Sequence, residues 1–335
     1  MNRSVFDTSE SVTSVEKLPA NPFVFIVGCA RSGTTLLERV VDAHPRIAIT
    51  PELHWITNRF QNWKSMAPES RVTAELVADL AGHKRFRQLG FSRQEFEGLL
   101  EAGRPVAHTT FLNQLFDLYR RKKGKSLVGN KTPAFVQWVA ALHALWPTAR
   151  VVHLIRDGRD VCLSILNWDH AYKSAGRYTT WAEDPVVTTA LWWERKVRLG
   201  RQAGQRLRPG LYYEMRYEDL VSNPGETCAN LCDFLGVPFD EAMLRFHEGR
   251  TRTEPGLDAK KAWRPITPGL RIWRTQMLPD DVERFEAAAG GLLTELGYPR
   301  AFTNPSRECL EQTANLRNAL ARELRFRDDA MPASR

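Results

Sequence analysis

The chain repeatedly alternates a short apolar run with a helical pattern. Residues 22–28 read Pro-Phe-Val-Phe-Ile-Val-Gly, which predicts a buried strand, and a helix is predicted soon after it at 34–43. Further strands are predicted at 126–129, 150–155 and 210–215, each followed by a helix. Parallel strands are joined by such crossover helices, which cover both faces of the sheet. The sequence therefore predicts an α/β fold with a parallel β-sheet flanked by helices on both faces.

The patterns between these units suggest how the chain is divided. We expect a flexible leader at 1–20, one large domain at 21–300 and a C-terminal tail at 301–335. Inside the domain, residues 53–125 are mostly helical and polar in pattern, which predicts a helical insertion after the first strand–helix unit. Residues 249–275 lack periodicity and are rich in Arg, Lys, Pro and Gly, which predicts a long loop beside substrate and cofactor.

The composition excludes several classes of protein. With 43% hydrophobic and 26% charged residues, the chain is not collagenous, a coiled coil or largely disordered. Its five cysteines form no CxxC pair, so we expect a reducing compartment and no metal. No signal-peptide layout or apolar run of about 20 residues is present, which predicts a cytoplasmic protein without a membrane span. The net charge of +8 supports only weak attraction to anions, and we expect no nucleic-acid partner.

The loop after the first strand has the glycine spacing of a phosphate-binding P-loop, with Gly28 and Gly33 followed by Thr. Backbone N–H groups and the positive end of a helix cradle phosphate in such a loop, although a tight turn without a ligand is the alternative. Four side chains add donors that favour a phosphate: Arg31, Ser32, Thr34 and Thr35. Thr34 replaces the lysine that contacts the β- and γ-phosphates in nucleotide triphosphatases, so a group less charged than ATP is favoured.

A second candidate anion site follows the strand at 150–155. Arg156 stands at the strand end and Ser164 in the following helix, where a planar guanidinium and a hydroxyl could clamp another phosphate. The alternative is that Arg156 and Arg159 pair with the neighbouring carboxylates of Asp157 and Asp160. Taken together, the two sites predict a nucleotide with phosphates at two separate positions.

Four motifs in this order resemble the sulfotransferases that use 3′-phosphoadenosine 5′-phosphosulfate (PAPS), a family with a P-loop-type sheet. The resemblance extends from about Pro22 to Pro299 and is closest to the tyrosylprotein sulfotransferase-like branch and its bacterial relatives. The motifs are Arg31-Ser-Gly-Thr-Thr35-Leu with Asp42-Ala-His-Pro45, Asn130-Lys131-Thr-Pro133, Arg156-Asp-Gly-Arg159 with Ser164, and Tyr217-Glu-Asp-Leu220. The resemblance implies that PAPS is the co-substrate, with no metal.

The resemblance also implies roles for single residues. It places the 5′-phosphosulfate on Arg31, Ser32, Gly33, Thr34 and Thr35, the 3′-phosphate on Arg156 and Ser164, and the adenine near Tyr217. From the sequence alone, a core aromatic beside the fourth strand is the other interpretation of Tyr217. Near residue 264 the family contributes a basic residue to the nucleotide. Arg264 is the closest match, with Lys260 and Lys261 as alternatives.

Sulfuryl transfer needs a base for the acceptor and cations for the leaving phosphate. Glu52 occupies the position of the glutamate base in the tyrosylprotein-like branch, and His54 is the second candidate because other sulfotransferases use histidine. A helix cap is the alternative role for Glu52. Lys131 follows a strand end and is expected to contact the bridging or sulfuryl oxygens, with a solvated loop lysine as the alternative.

The predicted function is therefore sulfuryl transfer from PAPS to a hydroxyl or amine acceptor. Two other functions stay open at this point: a P-loop small-molecule kinase and a non-catalytic nucleotide-binding protein. Small-molecule, carbohydrate, lipid and peptide acceptors all fit the sequence, and no oligomeric state is predicted.

Overall fold

The computed structural model describes residues 20–56, 71–100, 104–248 and 264–329. Its strands are β1 (Val24–Gly28), β2 (Ile47–Thr50), β3 (Arg71–Val72), β4 (Val106–Ala107), β5 (Leu127–Lys131), β6 (Arg150–Ile155) and β7 (Tyr212–Arg216). Five of them form one parallel sheet in the order β2-β5-β1-β6-β7, and β3 and β4 form a small antiparallel pair.

Helices surround this sheet. They are α1 (Thr34–Asp42), α2 (Ala74–Gly82), α3 (Lys84–Arg87), α4 (Arg93–Glu97), α5 (His108–Lys122), α6 (Val139–Leu145), α7 (Gly158–Leu166), α8 (Pro185–Gly204), α9 (Tyr217–Ser222), α10 (Pro224–Leu235), α11 (Trp273–Gln276), α12 (Pro279–Glu295) and α13 (Arg307–Asp329). None of the described helices is both long and apolar enough to cross a membrane.

The central strand β1 shows why the sheet needs helices on both faces. All five of its residues are buried, and successive side chains point to opposite faces. Val24 and Ile26 pack in a core with α1 and α10, whereas Phe25 and Val27 pack in a second core with α5. The predicted parallel sheet covered on both faces is thus confirmed.

Two helix ends are stabilised by residues that commonly cap helices. Asp184 precedes Pro185 at the start of α8, and its carboxylate accepts hydrogen bonds from the N–H groups of Val186 and Val187 at 2.9 Å. Gly236 ends α10 in the left-handed conformation with φ 65°.

Two elements go beyond the expected pattern. Strand β2 was not predicted, and it extends the sheet beyond β5. Helix α13 lies in the segment predicted as a C-terminal tail, where Leu316 and Leu320 are buried in the core that also contains α8 and α12. The five cysteines are free and buried.

Candidate active site

The glycine loop joins β1 to α1 at the carboxyl edge of the sheet, where ligands bind α/β proteins. A Cβ atom at Gly28 would lie 2.5 Å from the carbonyl oxygen of Leu154 on β6. Gly33 has φ 95°, and a Cβ atom there would lie 2.4 Å from Cδ2 of Tyr217. The two glycines therefore let the backbone wrap tightly, and the Tyr217 ring covers the loop.

We expect Gly33→Ala to weaken nucleotide binding, because the new methyl group must displace Tyr217 or the loop itself. Gly90→Ala is the matched control, since Gly90 also has positive φ (71°) but open space around its Cβ position. Both variants should lose about 1 to 2 kcal/mol from the left-handed backbone. Thermal unfolding with and without adenosine 3′,5′-bisphosphate separates the effects: only Gly33→Ala should lose the ligand-induced shift, and equal shifts would contradict this role for Gly33.

Polar groups at the loop are left available for a ligand. The residue before α1 is Gly33, which has no side chain to cap the first N–H groups of the helix. Within the described part of the chain, the hydroxyl of Ser32 is buried and has no hydrogen-bond partner. Buried polar atoms normally have partners. The loop therefore has the properties of an anion-binding site, in which a bound anion would accept the hydrogen bonds that these donors do not make within the chain.

Three guanidinium groups converge beside this loop. Arg31 donates from Nε to the hydroxyl of Ser164 at 3.0 Å, which joins the two anion sites predicted from sequence. Loss of hydration and the nearby charges of Arg271 and Arg156 lower the pKa of Arg31. Like charges held together in this way favour a bound anion that neutralises them.

Arg156 keeps part of its hydrogen-bonding capacity free. Its guanidinium lies 4.3 Å from the ring centre of Tyr217 and donates to Asp160 at 3.2 Å. Its Nε is buried without a partner among the described residues. The neighbouring Arg159 instead donates to Asp157 and Glu286 and is fully buried. Ion pairing, the alternative considered for both arginines, therefore engages all three guanidinium nitrogens of Arg159 but leaves Nε of Arg156 without a partner among the described residues.

A second cluster centres on Lys131, the last residue of β5. Its ammonium lies 2.6 Å from Oε1 of Glu52, 2.9 Å from Oε2 of Glu38 and 3.4 Å from the hydroxyl of Thr35. The other oxygen of Glu52 is 2.8 Å from Nε2 of His54. One lysine thus connects two carboxylates to the glycine loop.

The Asn-Lys-Thr motif holds Glu52 beside this lysine. The side-chain amide of Asn130 donates to the hydroxyl of Thr50 at 2.8 Å and to the carbonyl of Pro51 at 3.0 Å. On the other side of Lys131, the hydroxyl of Thr132 accepts the N–H of Leu53 at 3.0 Å. The segment after β2 is therefore tied to the end of β5 on both sides of Glu52.

The surroundings of Glu52 and Glu38 shift the pKa values of these two carboxyl groups in opposite directions. Burial would raise the pKa of Glu52, but the hydrogen bond from His54 and the charge of Lys131 outweigh it and hold the pKa well below its usual range. Burial is the dominant effect at Glu38 and raises its pKa, despite Lys131. The pKa of Lys131 is raised by both carboxylates, which outweigh its own burial. Glu52 is thus an ionised carboxylate at neutral pH.

Comparison with known proteins identifies the family. The model of the sulfotransferase family matches residues 22–241, about two thirds of the chain. The chain belongs to the sulfotransferase family. It is 24% identical over 316 residues to protein-tyrosine sulfotransferase 1 of Danio rerio, covering 89% of this chain and 79% of that protein. The human protein-tyrosine sulfotransferase 1 is 24% identical over 304 residues, with 87% and 75% covered.

Solved structures support the same fold. The sulfotransferase domain of the Synechococcus PCC 7002 olefin synthase matches with a TM-score of 0.55 at 24% identity, covering 85% of this chain and 97% of that domain. The sulfotransferase domain of the curacin biosynthetic pathway matches with a TM-score of 0.57 at 20% identity, covering 85% and 99%. The predicted fold and the predicted class, a PAPS-dependent sulfotransferase similar to the tyrosylprotein branch, are confirmed.

Not every residue singled out from the sequence lies at the two clusters of this sulfotransferase. Arg264 is exposed at the start of a described segment, and its role stays a prediction. Lys260 and Lys261 lie outside the described residues. Arg271 and Glu38 lie at the two clusters without having been predicted from the sequence. Arg271 stands two residues before Trp273, whose N–H donates to Asp160 on α7 at 2.9 Å, a contact that the structure alone shows.

Proposed function

We propose that this sulfotransferase moves the sulfuryl group of PAPS to a hydroxyl or amine acceptor, with Glu52 as the base. The observation that carries the proposal is the contact of Lys131 with both Glu52 and Thr35 at the carboxyl edge of the sheet. It joins a carboxylate and a cation to a phosphate-binding loop, which is the set of groups that the reaction needs.

The residues around the glycine loop fit the nucleotide that PAPS contains. The loop residues 31–35 would hold the 5′-phosphosulfate through N–H groups, the Ser32 hydroxyl and the threonine hydroxyls. Arg156 and Ser164 would hold the 3′-phosphate, together with Arg271, whose buried Nε has no partner among the described residues. Tyr217 would lie beside the nucleotide as the cover of the loop.

When bound, PAPS supplies an activated sulfuryl group on a phosphate leaving group. Glu52 takes the proton of the acceptor as the new bond to sulfur forms. The bond from sulfur to the bridging oxygen breaks, and its electron pair stays on the 5′-phosphate. Lys131 and the start of α1 stabilise the negative charge that grows there. The products are the sulfated acceptor and adenosine 3′,5′-bisphosphate.

The similarity to protein-tyrosine sulfotransferases makes a tyrosine hydroxyl the first acceptor to test. Small-molecule, carbohydrate and lipid acceptors follow it, because a shared site chemistry does not fix the acceptor. The kinase alternative is disfavoured by Thr34, which occupies the place of the phosphate-binding lysine. A cytoplasmic location stays a prediction, consistent with five free cysteines.

The test is thermal unfolding with adenosine 3′,5′-bisphosphate, with AMP, and with ATP plus Mg²⁺. A ligand at 100 times its dissociation constant stabilises by about 2.7 kcal/mol, so we expect a clear shift with the bisphosphate alone. Transfer of label from ³⁵S-PAPS to a tyrosine peptide, 4-nitrophenol, an alcohol and an amine then measures the reaction. A shift with ATP and Mg²⁺ but none with the bisphosphate would overturn the proposal in favour of the kinase.

We expect Arg271→Ala to weaken bisphosphate binding by about 10- to 100-fold, because a hydrogen bond to a charged group is worth about 1.5 to 3 kcal/mol. Arg264→Ala removes the same charge from the same segment at an exposed position. Titration calorimetry on both variants shows which arginine binds the nucleotide. A larger loss of bisphosphate affinity in Arg264→Ala would instead assign nucleotide binding to Arg264, the residue that the resemblance implies.

A further inference from the structure

Glu38 is a largely buried carboxylate that the reaction described above does not use. It lies in α1, one turn after Thr34, and its side chain is 13% exposed. Its Oε2 is 2.9 Å from Nζ of Lys131, whose side chain is only 3% exposed. A helix that begins at the phosphate-binding loop therefore brings a carboxylate to the catalytic lysine.

The hydrogen bonds of Lys131 are fully used in this arrangement. An ammonium group has three N–H donors. Lys131 has three acceptors within reach: Glu52, Glu38 and Thr35. To donate to a sulfuryl or bridging oxygen, Lys131 must give up one of them, and to act as a base Glu52 must turn from the lysine to the acceptor. Both requirements are met if the contact between Lys131 and Glu52 is the one that breaks.

The surroundings of the two carboxylates support this choice. Glu38 belongs to a helix that is anchored in the core by Leu37, Val40 and Val41, so its position is fixed. Glu52 lies in the segment after β2 and retains a partner, His54, when the lysine leaves. Without Glu38, a lysine released by Glu52 would keep, within the described part of the chain, only the long contact to Thr35.

We propose that Glu38 is a positioning residue that holds the ammonium group of Lys131 beside the glycine loop while Glu52 exchanges this lysine for the acceptor. The inference rests on the proposed function of Glu52 and Lys131. It adds that the ion pair between them belongs to the resting enzyme, and that the site contains a second carboxylate because the lysine needs an anchor when this pair opens.

Charge supports the same assignment. One ammonium between two ionised carboxylates would leave a net negative charge where an anionic phosphosulfate must bind, which is unfavourable in a buried site. Burial raises the pKa of Glu38, whereas the pKa of Glu52 is lowered, so Glu38 is the carboxylate whose negative charge is less strongly stabilised. A glutamine has the same length and the same acceptor without the charge, so it is the informative replacement.

The experiment measures kcat, KM for PAPS and bisphosphate affinity with ³⁵S-PAPS and the best acceptor of the panel above. We expect Glu38→Gln to keep most of the wild-type kcat. Glu38→Ala should lower kcat by about 10- to 100-fold, the size of effect that a misplaced catalytic group produces. Its bisphosphate affinity should remain, because the bisphosphate lacks the sulfuryl group that Lys131 would contact. Glu38→Asp, with a shorter carboxylate, gives the same test if the alanine variant does not fold.

A double-mutant cycle with Lys131→Met separates positioning from a structural role. If Glu38 acts through Lys131, then Glu38→Ala has little further effect on kcat in the Lys131→Met enzyme, whereas a structural role gives the full loss in both backgrounds. Wild-type kcat in Glu38→Ala, or additive losses in the double variant, would overturn the inference. A wild-type enzyme that binds the bisphosphate but transfers no label would instead reject the proposed function, and the role of Glu38 with it.

Discussion

Glu52→Gln is expected to lower kcat by about 10²- to 10⁴-fold, the usual contribution of a general base. Glutamine keeps the length of the side chain and an oxygen that can accept from Lys131, so bisphosphate affinity and the unfolding midpoint should stay close to those of the wild type. The loss would then belong to proton transfer rather than to binding or folding. Steady-state kinetics with labelled PAPS, combined with titration calorimetry, provide both measurements.

His54→Asn is the control that separates the two candidate bases. His54 is 2.8 Å from the far oxygen of Glu52 and its side chain is 44% exposed, which suits a residue that orients the carboxylate. We therefore expect a smaller loss of kcat than in Glu52→Gln. A larger loss in His54→Asn would transfer the role of base to the histidine and make Glu52 its positioning partner.

The pH dependence gives an independent check with a defined sign. The profile of kcat/KM reports the free enzyme, in which the pKa of Glu52 lies well below its usual range. Glu52 gains a proton only as the pH falls through that lowered pKa. We therefore expect no acidic decline of kcat/KM from Glu52 between pH 8 and about pH 5, whereas a base with the ordinary pKa of imidazole would produce a decline near pH 6.5.

Arg159→Met is expected to lower the free energy of unfolding by about 3 to 5 kcal/mol, the usual cost of removing one partner from a buried ion pair. Arg159 is fully buried. It donates to Asp157 through two nitrogens, at 3.0 and 2.7 Å, and to the carboxylate of Glu286. Its guanidinium also stacks 3.6 Å from the ring centre of Trp273. Methionine would fill similar space but remove the cation from Asp157 and leave Glu286, among the described residues, with the longer contact to Arg300 at 3.7 Å.

Chemical denaturation measures this change, and Arg93→Met is the matched control. Arg93 pairs with Glu97 at 2.7 Å, as short a contact as that between Arg159 and Asp157, but its side chain is 80% exposed. Exposed pairs contribute little, so the control should unfold like the wild type. Equal losses of unfolding free energy in the two variants would contradict the expectation that the buried ion pairs of Arg159 stabilise the fold more than an exposed pair does.

Features that depend on local chemistry were predictable from the sequence. The glycine loop is one, because Gly28 and Gly33 are required by the backbone wherever such a loop wraps tightly. The start of α8 is another, because the side chain of Asp184 caps this helix by accepting hydrogen bonds from the N–H groups of Val186 and Val187, two and three residues further along the chain. The alternation of strands and helices predicted the parallel sheet, since crossover connections leave few other arrangements.

Features that depend on distant partners were missed. Strand β2 has four residues, and its extended form follows from pairing with β5, far along the chain. Nothing near Glu38 in the sequence indicates that its partner is Lys131. Helix α13 did carry a local signal, because its buried side chains at Cys309, Thr313, Leu316 and Leu320 repeat at helical spacing.

The buried cysteines have a practical consequence for spectroscopy. Burial raises the pKa of all five thiols, so few of them exist as the reactive thiolate at neutral pH. A cysteine introduced at Tyr172, which is 58% exposed, would therefore react first with a maleimide dye. Position 172 stands two residues after His170, whose ring contacts Trp168 beneath Arg31. A single fluorophore at this position would report nucleotide entry in the otherwise native protein, without removal of any natural cysteine.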